Sequence, residues 1–321
     1  MNQKDICNKI NDAIKSLTEV KEILFQKEFQ WDNQNVIATS VNTEFDNLKT
    51  ALFSDKWPAA VNENLICDPN SENDKIERGF GIIELVIDES LNNDQKFLDY
   101  GCGEGHCVTA AADSLGCGLS VGYDIKQHNW PTVEKTFFSS NFQQIIDRGP
   151  YDVIMLFDVL DHVVNETPVE ILTKLSNILN ENGKMYIRCH PWISRHGSHL
   201  YHKLNKAYIQ LAFTEEELKL LINDYVPEPN LRVTKPIATY FNIFESANLQ
   251  IVSDRQIKEN VDSFFRIPKI EQRIINNSGH EIFPEFQMSI SFIDYVLKKR
   301  YSGSDPTLRL QDAQQHTSKN A

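Results

Sequence analysis

The chain has 321 residues, with 32 Lys and Arg against 45 Asp and Glu, a net charge of −13 and 41% hydrophobic residues. That is enough apolar material for one large domain or two smaller ones, and it excludes collagenous, coiled-coil-only and wholly disordered classes. So acidic a chain repels polyphosphate backbones, which leaves a small molecule or a protein as the favoured partner.

The most apolar stretch, Val153 to Val164, is broken by Asp158 and Asp161. It falls short of the ~20 residues a spanning helix needs, so no membrane association is expected. The opening stretch MNQKDICNKINDAIKSL lacks the apolar block of a secretory leader. Six cysteines (Cys7, Cys67, Cys102, Cys107, Cys117, Cys189) show no C-x-x-C pair. Reduced thiols and a cytoplasmic location are the expectation.

In chain order, Ile6, Ile10, Ile14, Leu17, Val20 and Leu24 make one helical stripe, and Ile37, Val41, Phe45, Leu48 and Leu52 a second. Such helices can pack on their own domain, pair with another subunit or dock on a partner. Trp57 to Asn73, with two prolines and four asparagines, reads as a linker. Residues 1–73 are therefore expected to form a helical extension with its linker, 74–300 the main domain and 301–321 a polar tail. In the main domain a helix places Ile76, Phe80, Ile83 and Val86 inward, and the strand Lys96 to Tyr100 follows. A glycine-rich turn, Gly101 to Gly105, leads into a helix over Val108 to Leu115. Strands are expected at Leu119 to Tyr123, Thr136 to Ser139 and Asp152 to Phe157. Thr167-Pro168-Val169-Glu170 spells a helix start, and Gly183 its stop. A strand over Lys184 to Cys189 precedes a helical, His-rich insertion at about 190–235, read as a lid. A helix near Thr239 to Ala247 and strands at 249–254 and 287–298 complete the pattern. Strand–helix alternation with short turns argues for an α/β fold, a parallel sheet covered on both faces.

The chemistry concentrates after the first strand. In K-F-L-D-Y-G-C-G-E-G-H the acid Asp99 precedes Gly101, Gly103 and Gly105, where the backbone can turn and approach a ligand without a Cβ in the way. The dinucleotide fingerprint G-x-G-x-x-G is not met, since its last position is His106. Asp124 ends the next strand, 19 residues after Gly105. The stretch Tyr151 to Val163 contains D-V-L-D-H at 158–162, and Asn182 to Ile187 closes a helix and opens a strand.

These four pieces, in this order, resemble class I S-adenosylmethionine-dependent methyltransferases over roughly residues 76–190. The resemblance implies a Rossmann-like doubly wound sheet, mostly parallel with the last strand antiparallel. It implies S-adenosylmethionine as cofactor and S-adenosylhomocysteine as product. By the same resemblance Asp99 and the glycines face the amino-acid part of the cofactor, and Asp124 the ribose hydroxyls. Ser140 and Asn141 would lie near adenine, and Phe157 and Asp158 at the strand end where ligands gather. Asp161, where the family pattern has Glu, is read together with His162 as shaping the turn.

Candidate catalytic residues follow the fifth strand, where four of nine histidines fall within thirteen residues. His190, His196 and His199 are the candidates for binding the acceptor or taking its proton. As metal ligands the histidines give only a loose His199–His202 pair with no partner fixed by spacing, so no metal is expected. The acceptor is read as an O or N atom of a small molecule or protein. The D/N-P-P-Y/F/W turn and the Pro-Cys nucleophile of DNA-modifying enzymes are absent. A nucleic-acid-modifying enzyme, for instance phage-encoded, and a non-catalytic assembly protein remain the alternatives.

Overall fold

Short apolar strands that pair in parallel, each followed by an amphipathic helix, organise the chain. The computed structural model describes residues 34–62, 71–163, 165–226, 237–278 and 288–300. The chain divides into two compact units, residues 1–54 and 55–321. In the first, α1 (Gln34–Leu52) carries the second apolar stripe. The first stripe lies outside the described residues, as does the tail from 301.

The second unit opens with α2 (Glu72–Val86), capped by the Ser71 hydroxyl, which accepts from the Asp74 N–H. Then come β1 (Lys96–Tyr100), α3 (His106–Ser114), β2 (Leu119–Tyr123), β3 (Thr136–Ser139), α4 (Phe142–Ile146) and β4 (Tyr151–Phe157). After them run α5 (Pro168–Ile178) and β5 (Leu179–Cys189). The inserted segment holds a 3-10 turn, Leu200–His202, with α6 (Ile209–Ala212) and α7 (Glu215–Leu221). The chain closes with α8 (Ile237–Ser246), β6 (Leu249–Lys258), α9 (Asp262–Phe265), α10 (Ile270–Ser278) and β7 (Ile290–Lys299).

The sheet runs β3-β2-β1-β4-β5-β7-β6. Strands β1 to β5 pair in parallel, while β7 is antiparallel to both β5 and β6. This is the expected doubly wound α/β sheet with its last strand reversed. Residues alternate between the faces, as the two-residue strand period requires. Phe97, Val153, Met155 and Tyr186 pack on Ile82, Ile83, Ala110 and Ala111. Leu98, Ile154, Leu156 and Ile187 pack on Ile171, Leu172, Leu175 and Phe244. Helix α5 starts with the expected capping box, in which Thr167 and Glu170 satisfy each other's backbone N–H groups.

Four local expectations change. Ile76 and Phe80 of α2 are exposed, and Gly79, Ile82, Ile83 and Val86 face inward. The contact centres on Gly79, where a Cβ would stand 2.8 Å from the His106 carbonyl, so the close approach of α3 sets the helix rotation. Helix α5 ends at Ile178 rather than at Gly183. Leu179 pairs with Tyr151 and Lys184 with Val153, so the intervening residues bulge. Gly183 is needed because a Cβ there would come within 2.9 Å of the Asp152 carbonyl.

The stretch read as a linker begins with a packed segment. Trp57 is buried, donates its indole N–H to the Ala207 carbonyl at 2.8 Å and packs on Phe213 and Phe264. Val61 and Asn205 exchange two hydrogen bonds. The segment read as a lid is equally well held, with Trp192, Ile193, Ser194, His196 and Ser198 all buried.

The reversed strand is pinned by charge. Arg188, Asp294 and Arg255 lie opposite one another on β5, β7 and β6. Asp294 takes a two-pronged contact from buried Arg188 at 2.5 and 2.7 Å and a second from Arg255. Asp294→Ala leaves the Arg188 guanidinium buried and unpaired. The expected loss is about 3–5 kcal/mol, read as a lower urea midpoint. Arg255→Ala, on a half-exposed partner, loses about 1 kcal/mol or less.

Candidate functional site

The carboxyl ends of β1, β2, β4 and β5 meet where the strand order reverses, between β1 and β4. Ligands gather at this point in open α/β sheets. The turn after β1 is built from three glycines with left-handed backbone, at φ +86° (Gly101), +51° (Gly103) and +91° (Gly105). A Cβ at Gly101 would meet Val159 Cγ2 at 2.6 Å, and one at Gly105 would meet Phe138 Cε1 at 2.5 Å. At Gly103 no atom lies within 4 Å of that position, so the loop's middle faces open space.

The loop is anchored to the end of β2. The Tyr123 carbonyl accepts from the Gly101 and Cys102 N–H groups. Asp124 Oδ2 accepts from the Gly103 N–H at 2.9 Å, and its Oδ1 from the Lys126 N–H. Trp130 donates its indole N–H to the Gly103 carbonyl at 2.8 Å and stacks on Phe138, 5.6 Å between centroids. Sequence reasoning missed both aromatics. Their only sign was a Trp before Pro131 in the β2–β3 loop and a Phe on a weak strand. Ser140 and Asn141 lie beyond β3, both exposed. Asn141 caps α4 by accepting from the Gln143 N–H.

Asp99 is buried at the base of this loop. Burial, with the charge of Asp124 second, pushes its carboxyl up to about 7. The four described cysteines are free thiols, and burial raises Cys102 and Cys107 far above the ordinary thiol range.

A second cluster forms at the ends of β4 and β5. Phe157 ends β4, and the Arg188 guanidinium stands 5.4 Å from its ring. Asp158 follows with φ +55°, a strained backbone for a non-glycine residue, and its N–H bonds the Arg188 carbonyl. Asp158 Oδ1 is 2.8 Å from His190 Nε2, and His190 Nδ1 is 2.8 Å from His196 Nε2. Burial favours the uncharged forms of both groups. The mutual attraction of Asp158 and His190 outweighs it, so the Asp158 carboxyl is held low and the His190 imidazole high. Burial and the neighbouring His190 lower His196 to about 4. The same two causes, with His162, lower His199 to about 3.

The fold therefore joins His190 to His196 and places the His199 ring 5.2 Å from that of His190. It also adds groups from outside the His-rich segment. Phe292 of β7 packs on His190 and His196 at 4.4 and 5.0 Å, a contact no sequence signal announced. Asp161 and His162, from the turn after β4, reach His199. His202 sits in the 3-10 turn against Tyr201.

A family model described as a methyltransferase domain matches residues 75–253. The chain belongs to the methyltransferase family. Its sheet order and glycine loop are those of the class I, S-adenosylmethionine-dependent members. Among solved structures, the cyclopropane synthase MmaA2 from Mycobacterium tuberculosis is 13% identical, with a TM-score of 0.42, covering 79% of this chain and 98% of its own. The O-methyltransferase of a trans-AT PKS multienzyme from Brevibacillus brevis, solved with S-adenosyl-L-homocysteine, is 19% identical, with a TM-score of 0.39, covering 72% and 77%. The YcgJ protein of Bacillus subtilis is 14% identical, with a TM-score of 0.39, covering 71% and 100%. None of these likenesses speaks to what the chain acts on. Among curated proteins none matches. Among the described residues no helix is long and apolar enough to cross a membrane.

Asp99 makes the free methyltransferase pH-sensitive in a defined direction. Its folded carboxyl holds a proton to about pH 7, whereas an unfolded one releases it near its ordinary value of 3.8. Its contribution is fully present below pH 3.8 and is lost as pH rises to about 7. Thermal unfolding of ligand-free wild type and Asp99→Asn should therefore converge near pH 4. The variant should gain on wild type up to pH 7, with a constant gap above it.

Proposed function

We propose that the chain transfers a methyl group from S-adenosylmethionine to an oxygen or nitrogen of a small molecule or protein. His196 takes the acceptor's proton in this reading. The observation that carries it is the Asp158–His190–His196 run at the same sheet edge as the glycine loop. The acidity of the whole chain, at net charge −13, favours such acceptors over nucleic acid.

The glycine turn fits the cofactor's size and charge. A side chain at Gly103 would project into the space that a ligand needs, and Asp99 and Asp124 offer carboxylates on either side of the turn. Asp99 would hold the cofactor's ammonium group and Asp124 its ribose, with Gly101 and Gly105 keeping the backbone close. Ser140, Asn141, Trp130 and Phe138 would border the adenine end, and Phe157 the methyl end. When bound, S-adenosylmethionine supplies a methyl carbon on a positively charged sulfur, open to in-line attack.

The chain's own part is to hold the acceptor in line and to receive its proton. With both imidazoles neutral, His190 Nε2 faces Asp158 Oδ1 at 2.8 Å, and its Nδ1 accepts from His196 Nε2. That leaves His196 Nδ1, a buried nitrogen with no hydrogen-bond partner among the described residues, as the free acceptor at the end of the run. As the acceptor is methylated, its proton would pass to His196. His196 Nε2 releases its own proton to His190 Nδ1. The charge comes to rest on His190, where Asp158 stabilises it. His190 and His196 thus act as one relay, and His199 borders the acceptor.

Binding and chemistry separate in the test. Calorimetric titration with S-adenosylhomocysteine should show binding to wild type and at least about a tenfold loss in Asp124→Ala. A folded wild type that binds neither S-adenosylmethionine nor S-adenosylhomocysteine would overturn the enzyme reading. With phenol, catechol, amine and protein acceptors, His196→Gln should lower kcat about 10²–10⁴-fold while leaving S-adenosylhomocysteine affinity unchanged. Full activity in that variant would remove His196 as the base.

A further inference from the structure

Asp161 follows β4 and is 1% exposed, yet neither of its carboxylate oxygens accepts a hydrogen bond from another residue. A buried carboxylate is stable only if it is protonated or faces a compensating charge. No Lys or Arg is paired with it among the described residues. What surrounds it instead is imidazole. His199 Nε2 lies 3.7 Å from Asp161 Oδ2, and the His162 ring lies 4.5 Å from that of His199. One donor atom from each of Asp161, His162 and His199 falls within 4.8 Å of the other two.

We propose that Asp161, His162 and His199 bind a first-row divalent cation. Two imidazoles and one carboxylate are the donor set such ions share, whereas Mg²⁺ and Ca²⁺ prefer oxygen alone. Ligands about 2.1 Å from a tetrahedral ion stand about 3.4 Å from one another. The Asp161–His199 separation is already close to that, and small ring rotations of His162 bring in the third donor. Three protein ligands leave positions open for water or an acceptor oxygen.

The backbone supports this arrangement. His199 has φ +54°, a left-handed conformation in which its N–H bonds the His196 carbonyl at 2.9 Å. The following turn from Leu200 starts at this residue. Asp161 and His162 are neighbours in a turn closed by the His162 N–H on the Val159 carbonyl. Two separate segments, one after β4 and one after β5, thus deliver donors to one point. The spacing within the His-rich segment could not show this, because its two outside ligands lie some forty residues earlier.

The test uses the full chain stripped with chelator and titrated with Co²⁺ alone, followed by visible absorption and calorimetry. One saturable equivalent with a visible d–d band is expected in wild type. Asp161→Asn and His199→Gln should each weaken it by more than about tenfold. S-adenosylhomocysteine titration of the same samples reports whether each variant is folded. The proposal is overturned if wild type shows no saturable equivalent, because Asp161 is then simply protonated. It is equally overturned if both folded variants bind Co²⁺ as wild type does, since the ion then sits elsewhere. The result is independent of the transfer reaction, whose failure would appear in S-adenosylhomocysteine binding by wild type.

Discussion

The left-handed backbone after β1 is the constraint on which the site depends. Three alternating glycines let consecutive N–H groups turn back toward β2, where the Tyr123 carbonyl and the Asp124 carboxylate receive them. An L-residue at Gly101 or Gly105 would meet both an unfavourable φ and a filled space, Val159 on one side and Phe138 on the other. The loop therefore connects two layers of packing. Val159 belongs to the turn that carries Asp158 and Asp161, and Phe138 to the aromatic pair beside Gly105. The glycine turn and the turn that leads to the His cluster are braced against each other through these contacts.

The same sheet edge gathers negative charge. Parallel strands end together, so Asp99, Asp124, Asp158 and Asp161 all arrive at one side. Each carboxylate is handled differently. Asp124 is satisfied by backbone N–H groups, and Asp158 is paired by charge with an imidazole that it makes more basic. Burial drives Asp99 toward its neutral form. A cationic ligand is the natural complement of such an edge, and a sulfonium with an ammonium group carries that charge.

Much of this was legible in the sequence because it is local. The glycine turn, the strand-end acids and the Thr167–Glu170 capping box are written in adjacent residues, and the strand β3 was found at its true limits. The strand pattern also carried the fold class, since apolar runs alternating with helices leave few other arrangements. What was misread depends on close approach between distant segments. The inward face of α2 was read from Ile76 and Phe80, whereas Gly79 is its contact point with α3. Gly183 looked like a helix stop, whereas it clears the Asp152 carbonyl across a bulge. Trp57 sat in a polar, Pro-containing stretch, and its partners Ala207, Phe213 and Phe264 lie 150 or more residues away. The histidines were singled out, but their acidic partners came from another strand end.

Those distant contacts decide how the His-rich segment works. A mobile lid would expose its polar groups when open, and few contacts would hold it. Here Gln210 donates to the Trp192 and Ser194 carbonyls, and Arg195 bonds the Ala59 carbonyl and Glu259. The Trp57 indole ties the far end at Ala207. Successive turns, Ser194 on Pro191, Gly197 on Ser194 and His199 on His196, direct the rings between these anchors. Gly197 permits this winding, because a Cβ there would stand 2.3 Å from the Trp192 carbonyl. The imidazoles are thus held as part of the core, and their geometry costs little reorganisation when charge develops nearby. In the proposed reaction, selectivity for an acceptor would rest on the fixed spacing between this cluster and the glycine turn.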